Sequence, residues 1–493
     1  MRVRPTEPPH RSLRSLASQL GVRPHGDAEV TGLSLNTADV RPGDLYAALP
    51  GASTHGARFA DRAASSGAVA VLTDARGTQC VPDGLPYLVV EDPRSELPGL
   101  AADLYGHPSE AFTTVGITGT QGKTTSTYLA EAALSGERPA VIGTIGTRIA
   151  GIPAASSLTT PEAPALQALF AVMREEEVTA CAMEVSSHAL VKGRVDGFRF
   201  DIGVFLNLGR DHLDFHTDME DYFQAKARLF TPTHARAGVV LVDDDWGRRL
   251  AAEATVPVTT VSTRGEPADW QVGEIHAEAL GSRALLRTPE HGEVELSVPL
   301  PGAFNVSNAA AVVAALAATG RDPHALAAGL ARSPGVPGRM ERVEAGQDFT
   351  VVVDYAHKPD AIVAVLEALR PVTSGRLIIV LGAGGDRDRG KRAVMGATAA
   401  ERADVLVVTD DNPRSEDPAH IRAALIEGAR AARTEVVEVA GRRAAIAEAV
   451  SMARAGDTLV IAGKGHERGQ EVDGIVHPFD DRTVVRECLE ART

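Results

Sequence analysis

The chain has 493 residues, of which 44% are hydrophobic and 23% charged, a composition typical of a globular protein with room for about three domains. Its formal charge of −15 argues against nucleic acid as the main partner, because neutralising phosphates requires a surface rich in Lys and Arg. The three cysteines lack CxxC spacing, so they predict neither a disulfide framework nor a structural zinc site and fit a reducing cytoplasm.

Residues 1–110 are predicted to form a small α/β domain. Arginines occur at positions 2 and 4, but the residues that follow, where a signal peptide needs an apolar stretch, are Pro5, Glu7, Pro8, Pro9 and His10. No apolar segment of the chain is long enough to cross a bilayer, so we expect a cytoplasmic protein without a membrane partner. Short apolar runs then alternate with segments of helical periodicity. The predicted strands are 44–49, 68–72 and 87–90, and the predicted helices are 11–20 and 97–104.

A glycine-rich turn at residues 116–125, Gly-Ile-Thr-Gly-Thr-Gln-Gly-Lys-Thr-Thr, follows a predicted strand (112–117) and precedes a predicted helix (126–134). In this context a helix N-terminus directs backbone N–H groups at an anion, Lys123 reaches the β and γ phosphates, and the Thr124 hydroxyl binds Mg²⁺. The alternative is a glycine-rich connection with a solvent-exposed lysine. The pattern favours ATP binding, and the candidate residues are Gly119, Thr120, Gln121, Gly122, Lys123, Thr124 and Thr125.

The region 111–336 continues as a second α/β domain. Its predicted strands are 178–183, 202–206 and 238–242, followed by a β-rich insertion at 257–300 and a helix at 305–318. In such a sheet the nucleotide lies at the carboxyl ends of the parallel strands. Two prolines and two glycines between 333 and 338 then indicate a linker.

A third domain is predicted at 337–493. Its predicted strands are 350–353, 377–381, 405–409 and 458–462, and its predicted helices are 360–369, 419–432 and 443–453. This alternation predicts another mostly parallel sheet.

Five motifs occur in the order found in the Mur ligases, and the chain resembles that family over nearly its whole length. They lie at 116–125, 183–188 (Met-Glu-Val-Ser-Ser-His), 207–214 (Asn-Leu-Gly-Arg-Asp-His-Leu-Asp), 354–360 (Asp-Tyr-Ala-His-Lys-Pro-Asp) and 463–467 (Gly-Lys-Gly-His-Glu). The resemblance implies an α/β fold of three domains: a UDP-binding domain (1–110), a P-loop ATPase-like domain with a mostly parallel sheet (111–336) and a Rossmann-like, amino-acid-binding domain (337–493).

The resemblance also implies a reaction, in which diaminopimelate is joined to UDP-N-acetylmuramoyl-L-Ala-D-Glu during peptidoglycan synthesis. A carboxylate is a poor electrophile, so it must be activated before an amine can attack it. Transfer of the γ-phosphoryl group of ATP gives an acyl phosphate, and nearby cations stabilise the charge of the tetrahedral intermediate that follows. The expected co-substrate is ATP, the expected metal is Mg²⁺, and we expect a monomer.

Three side chains are candidate Mg²⁺ ligands together with Thr124. Glu184 ends a predicted strand and His212 follows another, so both are expected at the sheet edge beside the phosphate loop. Lys226 lies in a helical segment, and the resemblance implies that CO₂ carbamylates it, which turns a cation into an anionic ligand. The alternatives are a helix cap for Glu184, a hydrogen-bonded loop histidine for His212 and a solvated lysine for Lys226.

The remaining contacts to ATP and to the muramoyl dipeptide follow mainly from the resemblance. It assigns ATP contacts to Asn305, Arg339, Asp354 and His357. A helix cap is the alternative for Asn305, and a salt bridge is the alternative for Arg339. Contacts to the UDP-linked dipeptide are assigned to Leu35, Thr37, Ala52, Ser53, Thr54, Thr159, Thr160, Ser186, Lys192 and Arg194. Lys192 departs from the family pattern, in which glutamine is frequent.

The turn Asp411-Asn412-Pro413-Arg414 offers a carboxylate for an ammonium group and a guanidinium for a carboxylate, which suits a diamino diacid better than lysine. The resemblance adds Arg387, Gly463 and Glu467 to this amino-acid site. An ordinary proline turn is the alternative. Lysine addition, another Mur or folylpolyglutamate-type amide ligase, a catalytically silent nucleotide-binding regulator and a P-loop motor ATPase are the competing functions. The motor lacks a paired-acid strand end after the loop.

Overall fold

The computed structural model describes residues 3–51, 53–154, 158–278 and 281–492. It contains two compact units, one formed by Met1–Gln271 with Ala311–Gly329 and the other by Val272–Ala310 with Leu330–Thr493. None of the helices in these described ranges is long and apolar enough to span a membrane.

The N-terminal part of the first unit contains a four-stranded parallel sheet in the order β3-β4-β5-β6, with the pair β1-β2 apart from it. The strands are β1 (Arg11–Ser12), β2 (Glu29–Val30), β3 (Gly32–Ser34), β4 (Asp44–Ala47), β5 (Ala70–Thr73) and β6 (Tyr87–Val89). The helices are α1 (Leu13–Gln19), α2 (Ala60–Ser65) and α3 (Pro93–Tyr105). Helix α3 begins four residues before its predicted start, because Asp92 accepts from Arg94 N and Pro93 fits the first turn.

The larger sheet of the first unit runs in the order β10-β9-β8-β11-β7-β12-β13-β14, and β15 pairs with β14 through Trp270 and Gln271. Its strands are β7 (Thr113–Thr118), β8 (Pro139–Gly143), β9 (Gly146–Ile149), β10 (Ile152–Ala154), β11 (Ala180–Glu184), β12 (Phe200–Phe205), β13 (Ala235–Leu241), β14 (Val258–Ser262) and β15 (Trp270–Val272). All neighbours from β8 to β15 are parallel, whereas β9 and β10 are antiparallel.

Helices and a large apolar core accompany this sheet. The helices are α4 (Lys123–Ala133), α5 (Ala163–Glu175), α6 (Ser187–Val191), α7 (Met219–Ala227) and α8 (Asp245–Glu253). All five residues of β11 are buried, as expected for a central strand whose two faces are both covered. The carboxyl ends of β7, β11 and β12 therefore lie side by side at one sheet edge.

The second unit contains an antiparallel meander, with β17 between β16 and β18, and a six-stranded sheet in the order β19-β20-β24-β21-β22-β23. The strands are β16 (His276–Glu278), β17 (Gly281–Thr288), β18 (Gly292–Val298), β19 (Glu341–Arg342), β20 (Thr350–Asp354), β21 (Leu377–Leu381), β22 (Val405–Val408), β23 (Glu435–Glu438), β24 (Thr458–Ala462), β25 (Gly469–Val472) and β26 (Ile475–Pro478). The neighbours from β20 to β23 are parallel, and β25 and β26 form a separate hairpin.

The C-terminal helices alternate with these strands, which gives the arrangement of a Rossmann-like sheet. They are α11 (Pro359–Leu369), α12 (Gly390–Arg402), α13 (Pro418–Ala429), α14 (Arg442–Met452) and α15 (Asp481–Arg492). Helix α9 (Ala303–Ala317) contains residues of both units, and α10 (Pro323–Leu330) follows it. The predicted α/β architecture with two mostly parallel sheets is confirmed.

Candidate active site

The glycine-rich turn predicted to bind phosphate, here called the phosphate loop, connects the end of β7 at Thr118 to the start of α4 at Lys123. Gly119 and Gly122 have φ values of 156° and 87°, which favour glycine. Asn207, which follows β12 by two residues, holds the loop: its main-chain O accepts from Thr120 N at 3.1 Å, and its Oδ1 accepts from Gln121 N at 3.0 Å. Helix α4 begins at Lys123, three residues earlier than predicted. The loop therefore has a fixed shape at a helix N-terminus.

Lys123 lies across this loop. Its Nζ donates to Gly119 O at 2.7 Å and to Thr120 O at 3.2 Å. An ammonium group held here, together with the positive end of α4, makes the loop a suitable site for a phosphate chain.

The buried carboxylate of Glu184, at the end of β11, contacts the Thr124 hydroxyl. Glu184 Oε1 accepts from Thr124 Oγ1 at 2.8 Å and from Thr144 N at 2.8 Å, and Oε2 accepts from Thr144 Oγ1 at 3.1 Å. Only 1% of Glu184 is exposed. Two of the predicted Mg²⁺ ligands are thus adjacent, and Thr144, which the sequence did not indicate, orients one of them.

Lys226 on α7 is buried, so the alternative of a solvated lysine is wrong. It is 1% exposed, and its Nζ donates to Gly119 O at 3.0 Å and lies 3.4 Å from Thr118 Oγ1. The same Nζ lies 4.7 Å from the ring centroid of Tyr222, whose hydroxyl is 3.2 Å from Thr120 Oγ1. Tyr222 therefore connects the lysine with the phosphate loop, a role that the helical pattern did not indicate.

His212 lies in the loop after β12 with a φ of 53°. Its main-chain N donates to Asp211 Oδ1 at 2.9 Å, and its ring Nε2 lies 3.3 Å from Asp211 Oδ2. The ring also packs edge-to-face on His188, with 4.9 Å between centroids, and burial lowers the pKa of His188. The pairing with Asp211 is the arrangement that the alternative of a loop histidine expected, so metal binding by His212 stays a prediction.

The predicted protein ligands suit Mg²⁺ only if the phosphates of a bound nucleotide complete its coordination. In the described part of the chain, no group of three or more His, Cys, Asp or Glu side chains could hold a metal ion. The hydroxyl of Thr124 and the carboxylate of Glu184 are hard oxygen donors, and Mg²⁺ in proteins commonly takes one or two carboxylates plus substrate phosphates. The donor set therefore suits a nucleotide-bound Mg²⁺.

Four of the residues predicted to contact the muramoyl dipeptide lie together beside Glu184. Thr159 Oγ1 is 3.0 Å from the Thr144 hydroxyl, and Arg194 donates to Thr160 O at 3.1 Å. Thr160 Oγ1 donates to Glu184 O at 2.8 Å and accepts from Ser186 N at 3.2 Å. Because Thr160 is fully buried, its hydroxyl braces the end of β11.

The other predicted dipeptide contacts are more dispersed. Lys192 Nζ lies 5.8 Å from the ring centroid of Phe215. Leu35 and Thr37 follow the carboxyl end of β3 and are half-buried. Ser53 and Thr54 are exposed, and Thr54 O accepts from Gly51 N at 3.1 Å in a turn after β4. Ala52 lies outside the described residues.

In the second unit, Asp354 and His357 lie at the carboxyl end of β20. Asp354 accepts from Met340 N and Ala356 N, both at 2.7 Å, and burial raises the pKa of its carboxyl group. His357 Nδ1 donates to Tyr355 O at 2.7 Å, and burial lowers the pKa of His357 to about 4. His357 is therefore neutral at neutral pH, with Nε2 as an acceptor.

Arg339 and Asn305 also belong to the second unit. The Arg339 guanidinium lies 4.3 Å from the ring centroid of Tyr355, a cation–π contact. Asn305 is the third residue of α9, is 2% exposed, and donates from Nδ2 to Pro301 O at 2.8 Å. This bond links the first turn of α9 to the segment before it but is not a helix cap, because the Asn305 amide donates to a carbonyl and does not accept from a first-turn N–H. A contact with adenine stays a prediction.

The two segments predicted to bind the amino acid touch each other. Asn412 Nδ2 donates to Glu467 Oε2 at 3.0 Å, and a Cβ atom on Gly463 would lie 2.6 Å from Asp411 Oδ2. Arg414 has a φ of 53° and donates to Glu471 Oε2 at 3.1 Å and to Gly385 O at 2.6 Å.

Pro413 separates Asn412 from Arg414 in this turn, and Arg387 is exposed. The turn 411–414 follows the carboxyl end of β22, and Gly463 and Glu467 follow that of β24, so most of the predicted amino-acid site lies at these two strand ends.

Two glycines form a close backbone contact beside this site. A Cβ atom on Gly338 would lie 2.1 Å from His466 N, and one on Gly465 would lie 2.6 Å from Gly338 O. The segment before β19 is thus packed directly against the loop that carries Glu467.

Comparisons with known proteins bear on this geometry. Three family models match the chain: "Mur ligase family, catalytic domain" over residues 29–103, "Mur ligase middle domain" over 117–316, and "Mur ligase, glutamate ligase domain" over 338–465.

The chain is also similar to individual proteins. A UDP-N-acetylmuramoyl-L-alanyl-D-glutamate--2,6-diaminopimelate ligase from Streptomyces avermitilis is 54% identical over 99% of this chain and 98% of that protein. A UDP-N-acetylmuramyl-tripeptide synthetase from Leifsonia xyli is 46% identical over 99% of this chain and 97% of that protein. A solved structure of a UDP-N-acetylmuramoyl-L-alanyl-D-glutamate--2,6-diaminopimelate ligase aligns with a TM-score of 0.68 at 34% identity, over 94% of this chain and 95% of that chain. The chain belongs to the Mur ligase family.

Proposed function

We propose that this protein is an ATP- and Mg²⁺-dependent ligase that joins diaminopimelate to UDP-N-acetylmuramoyl-L-Ala-D-Glu. The contact between Thr124 in the phosphate loop and the buried Glu184 carboxylate carries the proposal, since it pairs a phosphate site with two oxygen donors for a metal. The names of the Streptomyces and Leifsonia relatives support the substrate class.

The proposal divides the chain into three working domains, 1–110, 111–336 and 337–493. The matched ranges of the three family models, 29–103, 117–316 and 338–465, lie within these bounds. The described cysteines are free, which is consistent with a cytoplasmic enzyme. Function as a monomer stays a prediction.

In the first step, a carboxylate oxygen of the dipeptide substrate attacks the γ-phosphorus of ATP, and the bond to the ADP oxygen breaks. Lys123 and the N-terminus of α4 hold the phosphate chain and offset the charge that moves onto ADP. Thr124 and Glu184 would hold Mg²⁺, which would supply Lewis-acid charge neutralisation. His212 and Lys226 would hold a second ion if Lys226 were carbamylated, because a carbamate on the buried Nζ would replace a cation by an anionic oxygen donor.

In the second step, the amine nitrogen of diaminopimelate attacks the acyl carbon, inorganic phosphate leaves, and the nitrogen loses a proton. We assign the ammonium and carboxylate of the amino acid's distal end to Asp411 and Arg414, with Asn412, Gly463, Glu467 and Arg387 completing the site. A guanidinium can bind a carboxylate through two parallel hydrogen bonds. Lysine has no distal carboxylate that could accept them. This asymmetry favours diaminopimelate.

The direct test measures ADP release and tripeptide product with ATP, the UDP-linked dipeptide and either diaminopimelate or lysine. Diaminopimelate should be strongly preferred, and equal or better turnover with lysine would overturn the amino-acid assignment. Lys123→Ala should abolish product. Arg236→Ala is the matched control, because this cation pairs with Asp201 at the opposite end of the strands, at 3.1 Å, and should leave activity unchanged. No turnover with either amino acid would favour the silent regulator.

A further inference from the structure

We propose that Lys464 is a positioning residue that sets the affinity for the incoming amino acid by fixing Asn412 and Glu467. The inference rests on the proposed function, because it concerns the amino-acid site assigned there. No ligand contact is assigned to Lys464 itself.

Lys464 lies two residues after β24 and has no exposed surface. Its Nζ donates to Glu467 Oε2 at 2.8 Å and to Asn412 Oδ1 at 2.9 Å. A buried ammonium group is costly unless hydrogen-bonded acceptors compensate for its lost hydration. Both acceptors belong to the proposed amino-acid site. Because the buried ammonium group needs them as hydrogen-bond partners, it determines where the side chains of Asn412 and Glu467 lie.

The contacts of Asn412 show how strict this arrangement is. Its Oδ1 accepts from Glu471 N at 3.0 Å as well as from Lys464, and its Nδ2 donates to Glu467 Oε2 at 3.0 Å. Its main-chain N donates to Asp411 Oδ1 at 2.7 Å. Because an ammonium group can only donate, Lys464 fixes which end of the Asn412 amide is the oxygen. The turn 411–414 is thereby held in one conformation.

Glu467 is held at one oxygen only. Lys464 and Asn412 both donate to its Oε2, whereas no described residue donates to its Oε1. The Glu467 side chain is 32% exposed. The lysine therefore anchors one carboxylate oxygen and leaves the other to contact the same distal ammonium group that is assigned to Asp411. Binding then does not have to order the Glu467 side chain first.

The test compares Lys464→Met and Lys464→Gln with the wild-type enzyme. Each should raise the KM for diaminopimelate by about 10- to 100-fold, the effect of losing hydrogen bonds to charged groups, and leave the KM for ATP within about threefold. Arg376→Met is the matched control, since Arg376 pairs with Asp457 at 2.8 Å beside the amino ends of β21 and β24. It should leave both KM values near those of the wild type.

A double-mutant cycle with Glu467→Gln separates positioning from a general structural role. If Lys464 acts through Glu467, then Lys464→Met should raise the KM for diaminopimelate much less in the Glu467→Gln background than in the wild type. The double variant leaves no unpaired buried charge, so it also protects the test against misfolding of the single variant. Equal KM increases in both backgrounds, or equal increases for diaminopimelate and ATP, would overturn the inference. A wild-type enzyme that does not use diaminopimelate would instead refute the proposed function.

Discussion

Replacing Glu184 by glutamine distinguishes a metal ligand from a structural cap. The amide keeps the shape of the side chain, and its oxygen can still accept from Thr124 Oγ1 and Thr144 N, which now lie 2.8 Å from Oε1. Its NH₂ group takes the place of Oε2, and the Thr144 hydroxyl can accept from it while donating to Thr159 Oγ1, 3.0 Å away. All three contacts survive in weaker form, so the free energy of unfolding should fall by only about 1 kcal/mol.

Activity should fall much further, because a neutral amide is a poor ligand for Mg²⁺. We expect kcat to drop by about 10²- to 10³-fold, corresponding to about 3–4 kcal/mol of transition-state stabilisation, and the Mg²⁺ concentration for half-maximal rate to rise. The assay is ADP release as a function of Mg²⁺, alongside denaturant unfolding. Thr144→Val is the control: it keeps the carboxylate and should cost less than about tenfold in rate. Near-normal activity and Mg²⁺ dependence in Glu184→Gln, or a stability loss above about 3 kcal/mol, would show that Glu184 is structural.

Three further predictions concern other parts of the two units. Tyr222→Phe removes the hydroxyl beside Thr120 but keeps the ring under Lys226, so ATP titrations should show a KM raised by about two- to tenfold with little change in stability. The pKa of His357 is about 4 in the folded protein, whereas that of an unfolded histidine is about 6.5, so its contribution to stability is present above pH 6.5 and is lost as the pH falls towards 4. His357→Gln should therefore reduce the dependence of the melting temperature on pH between about 4 and 6.5. An unchanged slope would contradict the reasoning. Gly463→Ala should cost about 2 kcal/mol and raise the KM for diaminopimelate, because φ is 116° and the new methyl group would meet Asp411; unchanged melting and KM would contradict this.

The sequence predicted the central strands best. The runs Leu377–Leu381 and Thr458–Ala462 match the observed strands end to end, because strands covered on both faces are continuous apolar segments with sharp limits. The start of α4 was missed, since Lys123 and the two threonines after it carry no apolar periodicity. Tertiary contacts, which no local pattern encodes, decide such boundaries.

For the candidate site, the sequence identified residues that end strands but not the residues that hold them. Thr124 and Glu184 were expected at one sheet edge and are in contact there. Asn207 and Tyr222 were missed because their partners lie about 90 to 100 positions away in the chain, at Gln121 and Thr120. A helical pattern likewise could not tell that Lys226 faces inward.

The contact between Gly338 and Gly465 limits how this enzyme can be redesigned. A chimera that imports the 463–467 loop from a ligase of different amino-acid preference would bring in a new backbone path, and the acceptor chain would have to receive the matching 338 segment with it. Because neither glycine has room for even a methyl group, the two segments have to be transplanted as one module. Libraries that vary either segment should therefore keep Gly338 and Gly465 unchanged.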